Sequence, residues 1–388
     1  MKRLLLLLLM VCALPLSGCA GIWANTRQVD QLLVIQTMGL DAESGGVRLS
    51  LASGAGIRAA GSPSRLQGVA PTVTAAIEQI RNLANEDDLF CAHIGHVLLG
   101  EETAREGVGP CLSYICRSPD LRISVPLYVV RGGSAGEAVL GVGDDSYGIC
   151  DALDSVDADV RLRGDGALTT AAEITGALEK TGSALICAVD YAPSAEEQQP
   201  PVAGGSDSGE ASPLMTVAAA GYGVLVEGRL CAYLSRELAV GVGLLRNASG
   251  PCEIVLRDRE GRPVTLELNR GSSAVTPLWS EAGALTGLEI QVEASAALAE
   301  RSGPDAVRED ELTARLEAEL SERIGAVLRL SKSLGADFLD LGSRVELAAP
   351  GKYRALPQPF AELLPQLPIR LSVSGKLEHT NDLKDGAV

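Results

Sequence analysis

Residues 305–334 read DAVREDELTARLEAELSERIGAVLRLSKSL, and this stretch decides the fold. Leu312, Leu316, Leu320, Ile324, Val327, Leu328 and Leu334 recur at steps of three and four, the period of one helical face. Glu309, Asp310 and Glu311 stand near the start, and Arg329 and Lys332 near the end, as the helix dipole prefers. The pattern predicts one long amphipathic helix whose apolar stripe forms the core of a sheet-plus-helix domain. A coiled coil with a partner helix is the other reading of the same stripe.

Working back along the chain, the segments before this helix read as strands. TGLEIQVEASAALAE (286–300) alternates, and CEIVLRDREGRPVTLELNRG (252–271) reads as two strands around a turn at Arg259-Glu260-Gly261. TVAAAGYGVLVEGRLCAYLS (216–235) repeats that logic around Glu227-Gly228. Upstream, QLLVIQTMGLD (31–41) and GGVRLSLASG (45–54) suggest a hairpin around DAESGG, and HVLLG (96–100) and ISVPLYVVRG (123–132) two further strands. Helices intervene: TVTAAIEQIRNLA (72–84) gathers Val73, Ile77, Ile80 and Ala84 on one face with Thr72 as a cap, and two short pieces lie within 101–122. Strands interrupted by helices without a regular repeat predict a multi-domain α+β protein, its mixed or antiparallel sheets packed with helices.

The segment APSAEEQQPPVAGGSDSGEASP (192–213) is rich in Pro, Gly, Ser and Glu, with Val202 its one large apolar residue. Such a composition buries too little surface to offset ordering entropy, so a flexible linker is expected. The organisation expected is therefore a leader at 1–18, an N-terminal region at 19–191, the linker at 192–213 and a C-terminal domain at 214–388.

The leader has Lys2 and Arg3, then an apolar stretch from Leu4 to Leu16, then Ser17, Gly18 and Cys19. That order is a secretory signal, and the apolar stretch falls short of the roughly 20 residues a membrane span needs. Leu16-Ser17-Gly18-Cys19 is similar to a bacterial lipobox, in which the cysteine sulfur is alkylated by diacylglycerol before cleavage. An ordinary signal peptide with an incidental cysteine is the alternative, which the order Leu, small, Gly, Cys at the end of the apolar stretch disfavours. The chain carries a net charge of −17, which disfavours nucleic acid and anionic headgroups. Attachment to a bilayer would rest on acyl chains, of which two anchor stably. The longest uncharged candidate for a span elsewhere, Leu214 to Val226, has only 13 residues and two glycines.

Chemistry is sparse. After Cys19 come Cys91, Cys111, Cys116, Cys150, Cys187, Cys231 and Cys252, without a C-x-x-C pair, and buried inert thiols are the expectation. His93 and His96 beside Cys91 invite a metal reading, but a strand geometry sends positions three apart to opposite faces. A hydrogen-bonded structural histidine at a strand entrance is the preferred reading. DSVDADVRLRGDG (154–166) lacks the glycine and terminal glutamate of a calcium loop, so a solvated loop is expected. No serine elbow or phosphate loop is present. No catalytic, cofactor-binding or metal-ligating residue is singled out, and aromatic residues are only 3%. These features favour a tethered, non-catalytic protein. An extracytoplasmic solute-binding lipoprotein and a surface hydrolase are the alternatives.

Four stretches together resemble the Ger(x)C family, the lipoprotein C-subunits of spore germinant receptors. They are QVDQLLVIQTMGLD (28–41), HIGHVLLGEETAREGVGPCLSYICRSPDLR (93–122), GYGVLVEGRLCAYLSRELAVGVGLLRN (221–247) and LEAELSERIGAVLRLSKSLGADFLDLGSRV (316–345). A departure is that Ala20, Gly21 and Ile22 separate Cys19 from Trp23, where the family often has Trp-Asp directly after the lipid-bearing residue. The resemblance implies a lipoprotein on the outer face of the spore inner membrane. It would assemble with two membrane-embedded partners, one transporter-like and one few-span, into a nutrient receptor that triggers ion release. It implies lipidation at Cys19, no catalytic residue and no cofactor. Segments 93–122 and 335–342 are candidate domain contacts, and Arg117, Asp120 and Arg122 a candidate local ion pair.

Overall fold

The computed structural model describes residues 32–53, 65–83, 88–142, 148–164, 166–193, 214–301 and 309–378. Cys19 and the leader, His379, and 194–213 of the expected linker lie outside the described residues.

The first layer begins with the expected hairpin, β1 (Leu32–Glu43) and β2 (Gly46–Ser53), turned at Gly45, whose φ of 80° suits glycine. Then come β3 (Arg65–Ala70), helix α1 (Val73–Leu83), β4 (Asp88–Phe90), β5 (His96–Gly100) and the short helices α2 (Glu101–Glu106) and α3 (Gly109–Arg117). Next are β6 (Leu127–Val130), α4 (Ala135–Gly141), α5 (Ile149–Arg163), α6 (Ala171–Thr181) and β7 (Ser183–Pro193). After the undescribed segment come β8 (Met215–Val226), β9 (Arg229–Leu234) and α7 (Arg236–Arg246).

These strands form one mixed sheet of nine, ordered β3-β2-β1-β5-β6-β7-β8-β9 with β4 paired to β1. Its centre, β1, β5, β6 and β7, is parallel, and both flanks are antiparallel. Parallel neighbours need crossovers, which explains why the helices lie between these strands and why both faces are covered. One face packs Ile77, Ile80, Leu112, Ile115 and Ile174 from α1, α3 and α6. The other packs Val139, Leu153, Val156 and Val160 from α4 and α5.

The sheet continues past the 192–213 segment: β8 and β9 pair onto β7, so the sheets divide after β9. The second sheet, β10 (Cys252–Arg257), β11 (Pro263–Trp279), β12 (Leu285–Arg301) and β13 (Ile369–Glu378), is ordered β10-β11-β12-β13, antiparallel except for the last pair. Across it lies α8 (Glu309–Leu334), the helix read from the sequence; 305–308 of the expected span fall outside the described residues. Leu312, Leu316, Leu320, Ile324, Val327 and Leu328 are buried against the sheet, and Leu334 is half-buried. The stripe is thus covered from within the chain. Short helices α9 (Leu341–Ala348), α10 (Pro350–Arg354) and α11 (Phe360–Leu363) precede β13. The core under α8 also takes in Leu185, Tyr222, Val224 and Leu234 of the first sheet, so one hydrophobic cluster links the two sheets.

Two expectations are corrected. The 154–166 stretch is not a solvated loop: its first ten residues belong to α5, because Ile149, Leu153, Val156 and Val160 are buried on one side while Ser155, Ala158 and Asp159 are exposed on the other. Arg117, Asp120 and Arg122 form no ion pair with one another; the Asp120 amide instead donates to Ser118 Oγ at 3.3 Å. Strand β6 is also shorter than the 123–132 expected, since Pro126 precedes it.

Candidate functional site

Where β1, β5 and β6 end, the chain fills its own anion-binding positions. The Asp41 carboxylate accepts from Ala135 N at 2.8 Å and Gly136 N at 2.7 Å, while Ser134 Oγ accepts from Glu137 N at 3.0 Å, so the first three amides of α4 are satisfied. Burial pushes the Asp41 carboxyl up, against the pull of the two amides. Gly100 leaves the necessary space: a Cβ there would lie closer than 3.0 Å to Asp41 Oδ1. Beside it, Glu101 accepts from Gly132 N at 2.5 Å, from the Tyr233 hydroxyl at 2.9 Å and from Arg105 at 2.6 Å. Burial opposes its charge, yet these donors hold its carboxyl below the usual range. Gly107, at φ 141°, closes α2, and Val108 N donates to Gly228 O at 2.8 Å in the β8–β9 turn. Segment 93–122 therefore docks onto β8 and β9 through Glu101 and Val108.

Asp337 repeats the device in the second half. Its carboxylate accepts from Leu341 N at 2.8 Å and Gly342 N at 2.7 Å, capping α9. This gives Ala336-Asp337-x-x-x-x-Gly342 a structural reason, since a Cβ on Gly342 would press on Asp337, Phe360 and Tyr353. Burial raises the Asp337 carboxyl to about 7. Nearby, Asp340 pairs with Lys180 of α6 at 3.1 Å, so segment 335–342 also touches the first layer.

A second polar cluster lies between the sheet and α5. His96 opens β5, buried as expected, whereas His93 is exposed in the preceding turn and Cys91 packs into the core on the other face. The His96 ring contacts the Tyr128 hydroxyl at 3.2 Å through Nδ1 and Asp154 Oδ1 at 3.1 Å through Nε2. Tyr128 in turn donates to Asp157. Burial and Asp157 push the Tyr128 phenol far up. Cys150 joins the group: a ring nitrogen of His96, Cys150 Sγ and a carboxylate oxygen of Asp154 all lie within 4.8 Å of one another. These partners come from β5, β6 and α5, so no local spacing in the sequence announces them.

A Cys, His and Asp this close invite a comparison with nucleophilic sites. A reactive thiol needs an electropositive setting that favours the thiolate. Here burial and the neighbouring Asp154 and Asp151 push the Cys150 thiol up to about 12, so the sulfur is a poor nucleophile at neutral pH. Of the other six internal cysteines, Cys91, Cys111, Cys187 and Cys252 are buried, as expected, while Cys116 and Cys231 are exposed; all seven are unbridged.

An open groove of about 970 Å³ runs between α1, α3 and the β1–β2 turn, lined among others by Val73, Ile77, Arg81, Cys111 and Tyr114. Among the described residues, no helix is long and apolar enough to cross a membrane.

Comparison with known proteins accords with this geometry. Residues 25–140 match the profile described as "Spore germination protein N-terminal domain", and residues 220–381 match "Spore germination B3/GerAC like, C-terminal". The chain belongs to the Ger(x)C family of spore germination proteins. A solved structure described as "Crystal Structure of the GerBC protein" shares the fold, with a TM-score of 0.54 at 16% identity over 88% of this chain and 96% of that one. No curated protein matches the chain. The N-terminal profile contains Asp41, Gly100 and Glu101, and the C-terminal profile contains Gly228, Tyr233 and Asp337. The contacts of Glu101 with Tyr233 and of Val108 with Gly228 therefore join the two matched regions.

Proposed function

We propose that this chain is the lipoprotein subunit of a spore nutrient germinant receptor. In this reading it is held on the outer face of the spore inner membrane by acyl chains on Cys19. It works without catalysis beside a transporter-like and a few-span membrane subunit, supporting assembly and signalling. The observation that carries the reading is the match of both germination regions, in order, along one chain. The lipobox-like Leu16-Ser17-Gly18-Cys19 supports the anchor. The unactivated Cys150 thiol supports a non-catalytic role. A solute-binding protein would have two similar lobes about a cleft; nine strands in one sheet and four in the other are unlike.

The test is affinity purification of the tagged chain from detergent-solubilised spore membranes. A multi-span and a few-span membrane protein should copurify in fixed ratio. Recovery of the chain alone, under conditions that keep other membrane complexes intact, would overturn the reading.

A further inference from the structure

The cluster between β5, β6 and α5 brings a ring nitrogen, a thiol and a carboxylate oxygen within 4.8 Å of one another. Tyr128 spends its single hydroxyl hydrogen on Asp157, so its oxygen faces His96 as an acceptor and the hydrogen between them sits on Nδ1. Nε2 then points at Asp154 Oδ1 from 3.1 Å. A cation set between these two atoms would be held by both. One residue across the sheet, Thr37 stands in register with His96 on β1. Thr37 is fully buried, and its hydroxyl is left with only a weak partner. That hydroxyl lies beside the Cys150 thiol.

We propose that His96 Nε2, Cys150 Sγ and an Asp154 carboxylate oxygen bind a borderline divalent transition-metal ion of the Zn²⁺ type. Nitrogen, sulfur and oxygen donors in one set suit such an ion. Cys150 and Asp154 stand four apart on α5, so both project from one helix face towards the strand that carries His96. Bonds of roughly 2.0–2.3 Å place tetrahedral ligand atoms roughly 3.3–3.7 Å apart. The present separations, all within 4.8 Å, close to that with side-chain movement alone. The Asp154 side chain is 69% exposed, which leaves a route for the ion and a fourth position for water. The Asp157–Tyr128–His96 chain fixes the ring from behind, as outer hydrogen bonds do for metal-bound histidines.

Binding forms the metal–sulfur bond and releases the thiol proton to solvent, since a coordinating thiol is deprotonated outright. The new thiolate is a stronger acceptor for the Thr37 hydroxyl than the thiol was. The acidic surroundings that leave Cys150 a poor nucleophile attract a cation, so the same field serves this role.

The test uses the chain reduced, stripped with chelator and carrying C12S and C19S together with C116S and C231S, the exposed thiols among the described residues. Titration with Co²⁺ should give one ion per chain and a near-ultraviolet thiolate-to-cobalt band, both displaced by Zn²⁺. C150S should abolish the band and weaken Zn²⁺ binding at least tenfold with an unchanged melting temperature for the stripped protein. D154N should weaken binding about tenfold and keep the band. Substoichiometric binding, the absence of the band, or a band that survives C150S overturns the proposal.

Discussion

Gly100→Ala tests whether the strand ends are organised around Asp41. At φ −64° and ψ 152°, Gly100 occupies extended backbone that alanine adopts freely, so no conformational penalty arises. The whole cost is steric. The added methyl occupies the space of Asp41 Oδ1, and the carboxylate cannot move without releasing Ala135 N and Gly136 N. Hydrogen bonds to a charged group contribute about 1.5–3 kcal/mol each, so losing one or both costs about 2–5 kcal/mol, and we expect about 3. Asp41→Ala should cost a similar amount, because it leaves the same two amides unpaired. In that background the methyl has room, its next neighbour being Ala135 N at 3.3 Å, and Gly100→Ala should cost less than about 1 kcal/mol. Urea denaturation of the two single variants, the double variant and the parent gives the coupling directly. A coupling of at least about 2 kcal/mol is predicted. Additive effects, or a Gly100→Ala penalty that persists without the carboxylate, would refute the reasoning.

Two further predictions concern the second half of the chain. Asp337 titrates near 7 when folded against 3.8 ordinarily, so the folded state holds its proton more tightly than the unfolded chain. Its contribution is fully favourable below about pH 4 and is lost as pH rises towards 7, at most about 4 kcal/mol. Asn does not titrate, so the stability of Asp337→Asn relative to the parent should rise between pH 5 and pH 8; a pH-independent difference would exclude the buried charge. Ile324→Ala, at a fully buried position on the stripe of α8, should cost about 2–5 kcal/mol in chemical denaturation, whereas Leu347→Ala, 83% exposed, should change stability by less than about 0.5 kcal/mol. Equal effects would contradict the packing of the helix stripe.

The sequence was most readable where the physics is local. The stripe from Leu312 to Leu328 declares α8 because packing and period coincide, and Glu227-Gly228 and Arg259-Glu260-Gly261 declare their hairpins because turn chemistry is written in adjacent residues. Helix α5 was hidden: Asp151, Asp154, Asp157 and Asp159 dilute its apolar face, and the polarity that suggested a loop serves in part the contacts of Asp154 with His96 and of Asp157 with Tyr128. The reach of the first sheet across 192–213 was hidden because the pairing of β7 with β8 is non-local. His96 stands at a strand entrance and is hydrogen-bonded, as the sequence suggests, but its partners stand 32 and 58 residues away on other elements. Asp41 and Asp337 were visible as parts of family motifs, while their common work, capping a helix across a tight glycine contact, required the folded backbone.

The most direct measurement of the central claim is nutrient-triggered germination of spores lacking this chain, complemented with the wild-type gene or with Cys19→Ala. The account predicts that deletion abolishes the response to at least one nutrient and spares a trigger acting downstream of the receptor. The wild-type gene should restore the response, and Cys19→Ala should leave the protein out of the membrane fraction without restoring it. Deletion spores that germinate at the parental rate with every nutrient tested would contradict it.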